Sequence, residues 1–333
     1  MRVAACHASD QPLVLENRAM PEPGPGEVLI RIRRCGICGS ELHAADGPAR
    51  PFPGGLIFGH EYAGEIVRLG AAVTGLSVGQ LVALYPAVGC GSCAACQRGN
   101  EILCPSAQRL LGGYAEYACI PARAAVPLPS GLTAADGALV EPLAVAYYGV
   151  KSADLARNER VLVLGAGSIA LAAVFWARMM GAGRIVVMSR SQRREALALQ
   201  MGADAFVAYG DDEVAEAAEA LGGKPDVILE CVGSAGFLAK AITHAPVFGR
   251  VISLGLSRLP EPIDAISAGM KDLTLKFPVG YSRADFEHVA ETMLHGHVDP
   301  KCMISSVVSL DGLPAMFAQL LGSHGETKVQ IAA

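Results

Sequence analysis

The sequence predicts an α/β protein in two parts: a mainly β domain followed by a doubly wound parallel sheet. Three observations carry this. Up to about residue 85, short alternating runs such as EVLIRIRR and EYAGEIVRLG are separated by proline and glycine clusters, the pattern of strands and turns. At Arg160 the period changes, and RVLVLGAGSIALAAVFWARMMGAGRIVVMSR reads as a buried strand, a tight turn, an apolar helix and a second buried strand. A chain of 333 residues is also long enough for two separate cores.

Composition narrows the possibilities. Apolar residues make up 52% of the chain, with 38 glycines and 20 prolines, which suits a compact glycine-rich fold. The net charge of −5 provides no basic stripe for a phosphate backbone, so nucleic acid is not an expected partner. No apolar run approaches the ~18 residues a membrane span needs, and the start MRVAACHASDQPLVLENRAM lacks the apolar core of a signal peptide. A cytoplasmic protein without a membrane partner is expected.

In chain order, the stretch CGICGSELHAADGPARPFPGGLIFGHE, Cys35 to Glu61, is the first to carry chemistry. Cys38 and His60 are a thiolate and an imidazole, ligand types that Zn²⁺ prefers, and a catalytic zinc needs three protein ligands with one position open. Cys35 is the nearest rival to Cys38. Carboxylates for the third ligand are Glu61, directly after His60, and Glu141, stranded in the apolar run LVEPLAVAYYGV. Burying such a glutamate is costly unless it is paired or metal-bound. Ser40 and His43 would give a proton a path from a metal-bound alcohol to solvent; the competing structural reading has Ser40 capping a short helix and His43 on the surface.

The segment LSVGQLVAL, Leu76 to Leu84, continues the strand pattern. Next, Cys90, Cys93, Cys96 and Cys104 form C-x2-C-x2-C-x7-C, the signature of a closed structural zinc site, with an Fe–S cluster or disulfides as the alternatives. Cys6, Cys35, Cys119, Cys231 and Cys302 read as small buried residues. LGGYAEYACIPA is strand-like, and residues 132–150 are expected to be a helix carrying Glu141 inward into the second domain.

In the turn after Arg160, Gly165, Gly167, Ser168, Ile169 and Ala170 match G-x-G-x-x-[GA]. Gly165 permits the turn, Gly167 lets backbone approach a pyrophosphate on the helix N-terminus, and Ala170 keeps helix and strand close. Further strands at AFVAY, DVILECVG, RVISLG and LKFPVGY complete a doubly wound sheet. Where an NAD-binding protein usually places an acid, at the end of the second strand, the chain has Ser189 and then Arg190, Arg193 and Arg194. Guanidinium groups bind phosphate well, so NADP(H) is favoured over NAD(H). After Ser282, two helical patterns and a final strand KVQIA are expected to return the chain to the first domain. The boundaries expected are 1–145, completed by 285–333, for the first domain and 146–284 for the second.

Taken in order, CGICGSELH, GHE, the four cysteines, GGYAEY, VEPLAV, VLGAGSIA and ECVG resemble the zinc-containing medium-chain dehydrogenase/reductase family over essentially the whole chain. The resemblance implies a GroES-like catalytic domain, a Rossmann coenzyme domain and two zinc ions per chain. It implies that Cys38, His60 and Glu141 match zinc-ligand positions, with Glu61 a ligand in an alternate state or a near neighbour, and that Glu41 orients the histidine. Cys231 and Val232 of ECVG fall at cofactor-binding positions. Glutamate at position 141, where the ethanol-oxidising branch has cysteine, is similar to sorbitol, threonine and related polyol or secondary-alcohol dehydrogenases.

The expected reaction is therefore reversible hydride transfer between a secondary alcohol or polyol, or the matching ketone, and NADP(H), in a homodimer or homotetramer. The strand RVISLG beside LKFPVGY is the expected oligomer edge. The substrate pocket is expected near residues 48–55, Tyr85 and Phe277. Alternatives are an NADPH-dependent aldehyde or ketone reductase, a cyclitol or amino-sugar dehydrogenase, and, more remotely, a non-catalytic zinc- and dinucleotide-binding protein.

Overall fold

The computed structural model describes residues 1–257 and 259–333. They form two compact units, one of Met1–Glu141, Ser282–Glu291 and Ile304–Ala333, the other of Pro142–Tyr281 and Thr292–Met303. Helix Ala134–Ser152 passes from one to the other. It begins with reciprocal capping: Asp136 accepts from the Thr133 amide at 2.8 Å, and the Thr133 hydroxyl accepts from the Asp136 amide at 3.4 Å. Among the described residues no helix is long and apolar enough to cross a membrane.

The first unit is built on the ten-residue strand Glu27–Gly36. Its apolar Val28, Ile30 and Ile32 are buried to 1% exposure or less, and it pairs antiparallel with Glu61–Leu69, Tyr117–Pro121 and Lys328–Ala332. Leu81–Leu84 and Ala125–Pro127 extend the sheet on one side and Ile304–Ser309 on the other. A second sheet pairs Arg2–Ala8 with Val14–Asn17 and Pro51–Leu56. Gly64 permits close approach of the central strands, since a Cβ there would lie 2.2 Å from the Arg31 carbonyl oxygen. The expected strand over 76–84 is shorter, Leu81–Leu84, because turn residues precede it; in LGGYAEYACIPA only Tyr117–Pro121 is regular strand.

The second unit holds six parallel strands in the order Ala205–Ala208, Arg184–Ser189, Arg160–Leu164, Val227–Glu230, Arg250–Ser253, Thr274–Lys276. This is the doubly wound arrangement. Val161–Leu164 are fully buried, as are Ala170–Ala177 of helix Ser168–Met179 to within 1%. The Trp176 indole N–H in that helix donates to the Leu143 carbonyl at 2.9 Å. The strand in RVISLG lies between two neighbours and is no edge; Thr274–Lys276 ends the sheet on that side. Segment Thr292–Met303 belongs to this unit because the His297 ring stacks on Phe175 and its Nε2 lies 2.9 Å from the Met201 carbonyl oxygen.

Asp226, at the entry to strand Val227–Glu230, accepts from the Arg160 amide at 2.9 Å and from Arg160 Nε at 3.2 Å, tying two central strands together. Partial burial would raise the Asp226 carboxyl, but the hydrogen bonds from Arg160 outweigh it and hold it below the ordinary value. A depressed folded-state pKa stabilises above the unfolded value and is lost as pH falls through the folded one. Asp226→Asn should therefore cost up to about 1 kcal/mol at neutral pH, a ceiling set by solvent screening. In urea unfolding the deficit should shrink as pH falls below ~4; a deficit independent of pH would rule out the ion pair as its source.

Candidate active site

The antiparallel ladder places Gly36 opposite Glu61. Beyond Gly36 the chain turns at Cys38, the N-cap of helix Gly39–Ala45, while His60 is the residue before the partner strand. Two candidate ligands 22 positions apart in sequence thereby meet at one end of two paired strands. One ligand atom each from Cys38, His60 and Glu61 lie within 4.8 Å of one another. Glu141 is buried to 7% on helix Ala134–Ser152 and lies outside that group.

Glu41 organises the first two ligands. Buried to 3%, it accepts from the Cys38 amide at 3.1 Å, the Gly59 amide at 2.8 Å and the Tyr114 hydroxyl, and its Oε1 lies 2.8 Å from His60 Nδ1. Burial would raise its carboxyl, but the charge of His60 and these donors lower it. Ionised, it is acceptor-only, so Nδ1 carries a proton and Nε2 is the nitrogen that would face a metal. Burial lowers the His60 pKa, yet the negative charges of Glu41 and Cys38 outweigh it and hold the imidazole well above its usual range. A cation is favoured at this position. Gly59 makes the turn possible: its φ is +94°, and a Cβ would sit 2.6 Å from Gly113 Cα.

Glu61, 1% exposed, is bound by a residue that sequence reading missed. Lys328 Nζ lies 2.8 Å from each Glu61 oxygen and 3.2 Å from the Ile37 carbonyl oxygen. The available signal was a lysine opening the C-terminal strand KVQIA, whose Val329 and Ile331 are buried. Tyr114 was missed too, inside the quoted GGYAEY.

Ser40 lies in the first turn of its helix rather than capping it, and its hydroxyl donates to Cys38 Sγ at 3.2 Å. His43, in the last turn, is exposed, and no hydrogen bond joins it to Ser40 among the described residues. Tyr85, expected in a pocket, is 1% exposed and packs edge-on against Phe286, so it belongs to the core. Phe277 in the second unit is 59% exposed.

Cys90, Cys93, Cys96 and Cys104 present sulfurs within 4.8 Å of one another. Cys93 and Cys96 sulfurs are 3.6 Å apart, too far for a disulfide and close to the roughly 3.8 Å edge of a tetrahedron of ~2.3 Å Zn–S bonds. Hydrogen bonds from Ser92 bring the Cys90 thiol down to about 6, whereas burial, together with the neighbouring sulfurs, pushes Cys96 up to about 12. Four thiolates need a cation to coexist. Of the cysteines read as buried, Cys6 and Cys35 are buried, while three are partly exposed: Cys119 on the outward face of strand Tyr117–Pro121, Cys231 just past strand Val227–Glu230, and Cys302 in the 3-10 turn Pro300–Met303.

In the second unit, Gly165 has φ +106°, and a Cβ would be 3.0 Å from Val232. Gly167 is the N-cap of helix Ser168–Met179, and a Cβ there would meet nothing within 4 Å. Backbone at the helix start is thus open to a phosphate. Arg194 folds back so that Nη1 donates to the Ala166 carbonyl at 3.1 Å, while Ser189 ends its strand half-buried and Arg190 is exposed. Cys231 and Val232 follow strand Val227–Glu230. Glu230, quoted in ECVG without a role, is buried to 2% and accepts from the Val232 amide at 2.7 Å, the Gly233 amide at 2.9 Å and the Ser253 hydroxyl at 3.0 Å. It pins the loop that carries Cys231 and Val232.

Comparison with known proteins agrees with this donor set. The family model "Alcohol dehydrogenase GroES-like domain" matches residues 24–130, and "Zinc-binding dehydrogenase" matches residues 168–295. Sorbitol dehydrogenase of Gallus gallus is 33% identical over 276 residues, 79% of this chain and 78% of the relative. (R,R)-butanediol dehydrogenase of Bacillus subtilis is 30% identical over 99% of both chains. A structure from Sinorhizobium meliloti, described as a zinc-binding dehydrogenase bound to NADP, superposes with a TM-score of 0.89 at 28% identity, covering 100% of both chains.

Replacing Glu41 by glutamine removes the charge that fixes the His60 tautomer. Zn²⁺ affinity at Cys38–His60 should fall roughly 10–100-fold, with the four-cysteine site unaffected, in competition with a chromophoric chelator. Undiminished retention would disconnect Glu41 from the ligand.

Proposed function

The chain belongs to the zinc-containing medium-chain alcohol dehydrogenase family, and we propose that it transfers a hydride reversibly between a secondary alcohol or polyol, or the matching ketone, and NADP(H). The observation that carries the reading is the Cys38–His60 pair with a buried glutamate behind the imidazole. The relatives named for sorbitol and butanediol support the substrate class.

Bound zinc supplies Lewis-acid polarisation of the substrate oxygen, and the nicotinamide supplies the hydride acceptor or donor. Cys38 and His60 hold the ion with Glu141 or Glu61 as third ligand, and Glu41 keeps the imidazole in its binding tautomer. The Ser40 hydroxyl, already beside Cys38, takes the alcohol proton, and His43 at the exposed end of the same short helix delivers it to solvent. Gly165, Gly167, Ser168 and Ile169 offer backbone to the pyrophosphate, and Cys231 and Val232 bound the cofactor on the neighbouring strand. Ser189, Arg190 and Arg194 receive a 2′-phosphate: residues 189–194 contain no acid, and Arg194 already donates to the Ala166 carbonyl of the turn. A second zinc, at Cys90, Cys93, Cys96 and Cys104, is structural.

The same reading includes a homodimer or homotetramer. The parallel sheet stops at edge strand Thr274–Lys276, with the exposed Phe277 just beyond it. Ten free thiols fit a reducing cytoplasm.

Titrating metal-replete protein with NADPH and NADH, following nicotinamide fluorescence and measuring zinc on the same sample, should show tighter NADPH binding and two zincs per chain. Arg194→Ala should weaken NADPH by ~10–100-fold, the loss of a hydrogen bond to a charged group, with little effect on NADH. Equal losses for both would remove the phosphate assignment. Cys38→Ser should abolish turnover with a secondary alcohol while cofactor affinity is retained; loss of both in a folded protein would contradict the proposed roles.

A further inference from the structure

Lys328 occupies a position where an ammonium is costly. It opens the C-terminal strand Lys328–Ala332 and is 3% exposed. An ammonium has three protons, and here there are three acceptors within reach: both oxygens of Glu61 and the Ile37 carbonyl. Its partner is equally buried, and the fold makes room for it, since a Cβ on Gly36 would lie 2.0 Å from Glu61 Oε2. That same carboxylate offers an oxygen within 4.8 Å of the Cys38 and His60 ligand atoms. One carboxylate thus stands between two cation positions, the ammonium of Lys328 and the ion that Cys38 and His60 are built to hold. Electron density given to one is withheld from the other.

We propose that Lys328 is a positioning residue that sets how firmly Glu61 engages the metal. Held through both oxygens, Glu61 stays a weak ligand, Glu141 is left as the third protein ligand, and a coordination position remains open for the substrate oxygen. This rests on the reading of Cys38 and His60 as the catalytic metal site. Remove the ammonium, and the buried carboxylate has no cation but the metal; it binds the ion closely and fills the open position.

The test uses full-length protein with Co²⁺ at the Cys38–His60 site, in wild type, Lys328→Met, Glu61→Gln and the double variant. Two readouts report on the ion itself: the visible absorption of Co²⁺, whose intensity falls as coordination number rises, and the rate of metal loss to a chelator. Lys328→Met should lower the absorptivity and slow metal loss by about tenfold or more, the scale on which groups behind a ligand tune affinity. It should also raise KM for the alcohol. In the Glu61→Gln background, the same lysine substitution should change neither metal readout. Lys328→Gln, which keeps a donor for the Ile37 carbonyl, repeats the comparison if the methionine variant does not fold. A spectrum and loss rate equal to wild type in the folded single variant, or the same shift with and without Glu61, would overturn the proposal. Wild-type protein that takes up metal only at the four cysteines would instead defeat the underlying reading, and the proposal with it.

Discussion

The antiparallel pairing of Gly36 with Glu61 is the contact on which the site depends. Register in a sheet is all-or-none, because a slip of one residue turns every side chain to the other face. Here the buried Val28, Ile30 and Ile32 hold the strand pair and Gly64 keeps it close, while register shifts at Leu29/Ile30 and Ile32/Arg34 set the final alignment of Gly36 with Glu61. Cys38 and His60 inherit their proximity from a ladder whose stability comes from apolar burial several residues away. The chemistry is attached to the end of the most strongly specified element in its unit, where positional error is smallest.

Buried acids are treated differently according to their work. Glu41 is satisfied by two amides, a hydroxyl and the imidazole it orients, so its charge is dispersed over fixed donors. Glu230 has no cation among its partners, only two amides and a hydroxyl, which makes it a clasp for the loop after its strand. Glu61 is paired with a full charge. A buried ion pair adds little net stability against apolar replacements of the same shape, yet removing one partner is costly. Such a pair is therefore weak support for the fold but a strong determinant of where one carboxylate points.

The two clusters of candidate metal ligands differ in the way expected of a structural and a catalytic site. Four sulfurs within 4.8 Å of one another would fill every position of a tetrahedral ion and leave none for a substrate. The other has a thiol, an imidazole and a carboxylate of divided allegiance, with a hydroxyl beside the thiol. In the second unit, Gly165 and Gly167 perform separate tasks that the motif writes with one letter: the first avoids Val232 in a left-handed conformation, whereas the second has empty space before it.

Short-range patterns were sufficient for the two-part α/β architecture, the glycine turn and the four-cysteine cluster; of the candidate ligands Cys38, His60, Glu61 and Glu141, the structure brings the first three together. The turn and the cysteine cluster are each written in one short stretch, where spacing alone constrains geometry, whereas Cys38, His60 and Glu141 lie in three separate segments. The edge of the parallel sheet was misplaced, and Tyr85 was assigned to a pocket, because strand order and burial depend on which elements pack together. Lys328 lies 267 positions from Glu61, and Tyr114 lies 73 from Glu41. Nothing local in KVQIA or GGYAEY announces such partners. The sequence by itself determined which groups could bind metal and nucleotide; only the tertiary structure decided which buried charge neutralises which, because desolvation forces each to find a partner and the partner is chosen by the fold.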